Sequence, residues 1–232
     1  AELLIDHAWG WEPCTLADVR AYRPESNSFG SGQVLQHPYP FEKTRLVMHE
    51  MAEQLSLDLV DKGLATNQLV ITVGYDRKNL EDPVIASQYD GDTTTDFYGR
   101  TVPKHAHGSV NLPRHTSSSR LIIDAALELF DSVVDPRLLA RRLNITACDV
   151  IREDESAQPA PQEGQLELLV DYEELERTAA AEEQRRAEER ARQEAILAAR
   201  KRFGKNAVLK GMNLQEGATQ TQRNKQIGGH QA

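Results

Sequence analysis

Apolar and polar positions alternate with legible periods in the middle of the chain and lose that order toward both ends. Between Phe41 and about Val60, the residues Met48, Met51, Ala52, Leu55 and Leu59 recur at spacings of three and four, which predicts a helix burying one face. Leu69, Ile71, Val73 and Tyr75 alternate through Gln68–Tyr75, the pattern of a strand with one apolar side. The helical spacing returns over Ser117–Val134 with Ile122, Ala126, Leu129, Phe130 and Val133 on one face. Shorter strands are expected at Gln33–Gln36, Ser109–Leu112 and Arg141–Ala147, with a long polar loop after Tyr75. The order β-α-β-β-α-β predicts an α+β fold, a four-stranded antiparallel sheet carrying two helices on one face.

Two stretches rich in Pro, Ser, Asn, Gly or charge, residues 23–32 and 154–164, read as linkers and bound a domain at residues 33–153. With 232 residues of which 39% are hydrophobic, the chain can build one core but not one along its whole length. Residues 1–22 open on AELLIDHAWGW, a helical pattern without a cap, and begin with Ala1, as if cut from something longer. Residues 170–203 have few apolar residues beyond alanine. Their i,i+4 pairs Glu182–Arg186 and Glu188–Arg192 predict a solvated helix. Residues 204–232 are rich in glycine and carry Lys205, Lys210, Arg223 and Lys225 against Glu216, which reads as a basic flexible tail.

Two helices cover only one side of such a sheet, so the other side is the place to look for function. In the last strand Leu143, Ile145 and Ala147 point inward, and period two sends Arg142, Asn144 and Thr146 outward. In the third strand Val110 and Leu112 point in and His107, Ser109 and Asn111 point out. Gln33 and Thr72 are expected to join them, although the apolar pair Val34–Leu35 leaves the first strand's register open. Arg141 falls on the core side by alternation, and only a bulge or a strand start would free it. Hydroxyls, amides and an arginine suit contact with a sugar-phosphate backbone; an ordinary solvated sheet face has the same pattern.

The net charge of −9 argues against a nucleic-acid partner only at first, because charges more than about 8 Å apart are largely screened at physiological salt. A local basic face survives an acidic surface elsewhere. No apolar run approaches the roughly 18 residues of a membrane span, so no membrane partner and a cytoplasmic location are expected. Cys14 and Cys148 have no metal or redox spacing and read as buried thiols. His105-x-His107 lacks a third ligand, Asp90-x-Asp92-x-Thr94-x-Asp96 lacks the glycine and final glutamate of a calcium loop, and Gly30-Ser31-Gly32 lacks the ending of a phosphate loop. Ser117–Ser119 read as a helix cap. No catalytic or metal residue is assigned.

SNSFGSGQVL (Ser26–Leu35), KHAHGSVNLPRHTSSSRLI (Lys104–Ile123) and RRLNIT (Arg141–Thr146) resemble the little-finger domain of Y-family translesion DNA polymerases, nearest the UmuC-like branch of Gram-positive bacteria and akin to DNA polymerase IV. Residues 1–22 resemble the end of that family's thumb, and FGKNAVLKGMNLQEGATQTQRNKQIGGHQA (Phe203–Ala232) resembles the tail of this branch.

That resemblance implies a DNA-binding and clamp-recruiting part of a polymerase acting in DNA repair and damage tolerance. The palm carboxylates that hold magnesium for nucleotidyl transfer match nothing here, so this chain is expected to be inactive alone and to bind no cofactor. Asn27, Ser28, Ser31 and Gln33 fall where the family touches template or primer phosphates, and Arg141, Arg142 and Thr146 fall on the strand laid along the duplex. Lys104, His105, His107, Ser109 and Asn144 lie near the same face. Gln165-Leu166-Glu167-Leu168-Leu169 (165–169) resembles the pentapeptide by which bacterial polymerases dock on the sliding clamp, two leucines entering an apolar pocket while the glutamine sets polar register. The expected partners are primer-template DNA and the clamp, with the chain itself monomeric. An interaction adaptor using the pentapeptide and charged helix without touching DNA is the alternative. A small hydrolase built on His105, His107 and Asp96 is a third.

Overall fold

A computed structural model describes residues 8–11, 14–22, 27–96, 98–156, 172–227 and 230–231. Helix α1 (Leu16–Ala21) opens with a capping box in which the Thr15 side chain accepts from the Asp18 amide and the Asp18 carboxylate accepts from Thr15 N. It buries none of its residues, and Leu16, Val19, Trp9 and Trp11 are exposed. Cys14, expected inside, is also exposed. Cys148 is half-buried.

The sheet is built from β1 (Phe29–Tyr39), β2 (Leu64–Tyr75), β5 (Ala106–Thr116) and β6 (Ala140–Cys148) in the order β1-β6-β2-β5, all neighbours antiparallel. The last strand thus sits between the first two, and β2 sits between β5 and β6. A fifth strand, β7 (Ile151–Arg152), pairs with the start of β2. Gly30–Gly32, expected as linker, belongs to β1.

Helices α2 (Phe41–Lys62) and α5 (Ser119–Val133) lie together against one side of this sheet. Helix α2 stops where Gly63 turns left-handed at φ +64° and donates to Leu59 and Val60 carbonyls, a conformation that glycine adopts without steric cost. Helix α5 starts where the Ser118 hydroxyl accepts from Leu121 N. Val47, Met48, Met51 and Leu55 from α2, Ile122, Ala126 and Phe130 from α5, and Leu69, Ile71, Val73, Leu143 and Ile145 from the sheet form the core. Phe41 and Phe130 meet with ring centroids 5.1 Å apart. Each fully buried side chain of this size stabilises by roughly 1.5–3 kcal/mol.

The loop expected after Tyr75 contains short helices α3 (Lys78–Glu81) and α4 (Pro83–Gln88) and a hairpin of β3 (Thr93–Thr95) and β4 (Thr101–Pro103). Asp82 caps α4 with Pro83 at its first position, a start signal present in the sequence. The fully buried Asn79 ties this insertion to the turn before β6 through both directions of a hydrogen-bond pair with Leu139.

Two further expectations are corrected. Helix α6 (Glu153–Ser156) occupies the start of the second expected linker. Helix α7 (Tyr172–Phe203) is not fully solvated: Gln193 is buried and donates to Ser117 O and Ser119 Oγ, Glu189 accepts from the Ser118 hydroxyl and Arg120 N, and Arg190 pairs with Glu153. Its docking is polar, so no apolar stripe announces it. Within α7, Arg186 pairs with Glu183 rather than Glu182, and Glu188 accepts from Gln184.

The tail is packed as well. A 3-10 turn (Gly211–Leu214) and helix α8 (Gln220–Arg223) lie on the second face of α2, held by Glu50. That carboxylate is only 1% exposed and accepts from Asn213 Nδ2 (2.8 Å), Thr219 N (2.7 Å) and Gln220 N (3.0 Å). Beside it Lys210 pairs with Glu53 at 2.7 Å. A carboxylate so enclosed is tolerable because several donors replace its hydration.

Replacing Glu50 by Ala strands three donors, each costing about 1–3 kcal/mol when buried and unsatisfied. Amide hydrogen exchange should then speed up at least about tenfold over residues 211–223 while β2 and β6 keep their protection. Unchanged exchange in the tail would show that Glu50 does not hold it.

Candidate nucleic-acid interface

Inward residues of the four main strands are buried under α2 and α5, and alternation fixes what remains on the far side. Register aligns that side into rows: Gly30, Thr146, Val70 and Ser109; then Gly32, Asn144, Thr72 and His107; then Val34, Arg142 and Gly74. Gln68, Cys148 and Asn111 form a further row at one end. The expected outward positions Arg142, Asn144, Thr146, His107, Ser109, Asn111 and Thr72 therefore share one surface, and the structure adds Gln68 beside them.

The glycines give this surface its relief. A Cβ on Gly32 would stand 2.0 Å from Asn144 Oδ1, and one on Gly30 would stand 2.8 Å from Thr146 Oγ1. Side chains of the inner strand β6 thus lean over an edge strand that has none there. Polar partners on the face are few: Gln68 donates to Asn111 Oδ1 at 2.9 Å, and Thr72 Oγ1 lies 3.0 Å from His107 Nδ1. Arg142 is exposed and has no ion pair or hydrogen-bond partner among the described residues. The chain has 36 acidic residues, yet none of the outward positions in these rows is Asp or Glu. A hydrated face with an unpaired cation and no carboxylate attracts an anion that presents many oxygens.

Arg141 is set free by the irregularity that alternation alone required. Tyr75 pairs with Ala140 and Gly74 with Arg142, so Arg141 is the extra residue of a bulge. Its Nη1 donates to Gln36 O at 2.5 Å and its Nε lies 3.8 Å from Asp76, which holds it at the rim near β1. Lys104 and His105 are exposed at the approach to β5, Lys104 being paired with Asp92 at 3.0 Å. Asn27 and Ser28 are exposed just ahead of β1.

Ser31 and Gln33 do not lie on this face. Leu35 is the inward residue of the Val34–Leu35 pair, being 3% exposed against 59% for Val34, so period two turns Gln33 and Ser31 to the helix side. There Gln33 Nε2 bonds Thr219 Oγ1 at 3.2 Å, and Ser31 Oγ accepts from Arg223 Nη2 at 2.9 Å. Tail residue Arg223 has no counterpart among the expected site residues; only its place in a cluster of basic residues could have marked it. Gln165, Leu166, Leu168 and Leu169 lie outside the described residues.

Among the described residues no three His, Cys, Asp or Glu side chains are grouped to hold a metal ion, and no helix is long and apolar enough to cross a membrane. His105 and His107 meet edge to face with ring centroids 6.4 Å apart.

No curated protein matches the sequence. Among solved structures, one described as the complex of beta-clamp processivity factor and little finger domain of PolIV is 10% identical, covers 62% of this chain and 100% of that chain, and has a TM-score of 0.33. The model of the impB/mucB/samB family C-terminal domain matches residues 26–161, the span that contains the whole sheet, both covering helices and the uncovered face. The chain belongs to that family, whose C-terminal domain is that of the Y-family polymerases.

Proposed function

We propose that residues 27–156 hold a primer-template duplex by its sugar-phosphate backbone, the part of translesion synthesis that positions DNA for a palm domain. The observation that carries this reading is the uncovered side of the sheet: Arg142, Asn144, Thr146, His107 and Ser109 are presented together, with no carboxylate among them. Contacts of this kind fix position and orientation without reading bases. That suits a polymerase, which must grip any sequence.

The role of the open sheet face is to hold DNA, and that of Gln165–Leu169 is to recruit. A Gln-x-x-Leu-Leu segment offers two apolar side chains for a pocket on a sliding clamp and a glutamine amide at its rim. It follows α6 by a short stretch, close enough in sequence to bring the DNA-holding face and a clamp onto the same duplex.

Arg142→Ala should weaken binding to duplexes of unrelated sequence alike and flatten the dependence of log K on log salt by about 0.9, the release of one phosphate contact. Fluorescence anisotropy over a salt series reads both quantities. Binding that keeps its slope, or no salt-dependent binding at all, contradicts the reading, and the second result favours an adaptor that does not touch DNA. For the clamp, Leu168→Ala with Leu169→Ala should abolish retention of the chain on immobilised sliding clamp. Undiminished retention removes the peptide from the account.

A further inference from the structure

Strand β1 is an edge of the sheet, and the tail runs beside it. Between them lies a groove of about 860 Å³, walled by β1 and β6 on one side and by residues 217–226 on the other. Its lining contains no Asp or Glu, in a chain where acids outnumber bases. Two arginines reach it from opposite walls, Arg142 from the sheet and Arg223 from α8, with Asn144 and His37 on the first wall and Gln222 and Gln226 on the second.

Neither arginine is neutralised. Arg142 has no polar partner among the described residues. Arg223 spends Nη2 on Ser31 Oγ, its Nη1 is buried without a hydrogen-bond partner, and no described carboxylate lies within ion-pair distance. Burial pushes its guanidinium below the ordinary arginine range, with Glu50 and Asp58 acting the other way at longer reach. An arginine held half-buried and unpaired favours an anionic oxygen close by.

The wall is also placed rather than loose. Glu50 takes the Thr219 and Gln220 amides, and the next turn carries Gln222 and Arg223 to the groove. Along β1 the lining runs from Gly32 to Tyr39, roughly 23 Å at about 3.3 Å per residue. That length matches several consecutive phosphates of one strand rather than a single free anion. Because Arg142 and Asn144 belong to both surfaces, the groove continues the open face.

We infer that the tail is the second wall of a phosphate-backbone groove, in which Arg223, Gln222 and Gln226 hold the DNA strand that overhangs β1. The inference rests on the proposed grip of the sheet on duplex DNA, and it extends that grip to a segment outside the matched family domain.

Gln222 is exposed and its side chain has no partner among the described residues, so charges placed there test the groove without unseating the tail. Anisotropy titrations of a labelled primer-template duplex compare Gln222→Glu, Gln222→Lys, Arg142→Ala and a control, Gln215→Glu, exposed on the same segment but outside the groove. Exchange protection of the Thr219 and Gln220 amides verifies that the tail stays docked in each. Gln222→Lys should tighten binding and add about 0.9 to the salt slope, so its advantage shrinks roughly threefold between about 50 and 200 mM salt. Gln222→Glu should weaken binding and Gln215→Glu should leave it unchanged. Equal effects of the two glutamates, with Arg142→Ala still weakening binding, overturn the groove and spare the sheet. Tighter binding by Gln222→Glu overturns it in favour of a tail that shields the face. No effect of any variant, Arg142→Ala included, overturns both readings.

Discussion

The structure depends on a sheet that is covered once. With α2 and α5 on one side, strict period two in β6 divides Leu143, Ile145 and Ala147 from Arg142, Asn144 and Thr146. A slip of one residue in register would reverse that division, turning Arg142 toward α2 and exposing the core. Burial of the apolar set therefore fixes the polar set, and the same energy that folds the domain positions its candidate contacts. The glycines of β1 complete the arrangement by leaving room for Asn144 and Thr146 to lie across the edge strand.

Helix α2 is the second organising element, since it is buried on more sides than a two-layer fold requires. One face meets the sheet, one meets α5, and Glu50 and Glu53 meet the tail. The packed body accordingly extends past residues 26–161 of the family match to include α7 and the segment through α8. What joins these parts is hydrogen bonding to buried carboxylates and amides, which rewards one geometry and penalises misfit more than apolar contact does.

That difference explains what can be read from the sequence. Elements packed by apolar side chains carry a period, so the succession of the four main strands and two helices along the chain, and the outward set His107, Ser109, Arg142, Asn144 and Thr146, are legible. Elements packed by polar side chains carry none. Glu50 in a helix looks like a solvated position, Gln193 and Glu189 look like the exposed side of α7, and the glycines near Gly211 and Gly217 look like a flexible tail. Ser31 and Gln33 escape the pattern for a related reason: Val34 and Leu35 are both apolar, and only the bond pattern of β1 with β6 decides which one enters the core. Arg141 shows the converse, because a bulge frees a residue whose parity points inward.

The most direct measurement of the central claim is a titration of isotope-labelled chain with duplex DNA, followed residue by residue in amide and side-chain resonances. Shifts concentrated at residues 107–111 and 142–146, with α5 and the outer side of α7 unmoved, are the result this account predicts. Shifts confined to the helical side, or none at all as saturating duplex is added, would contradict it.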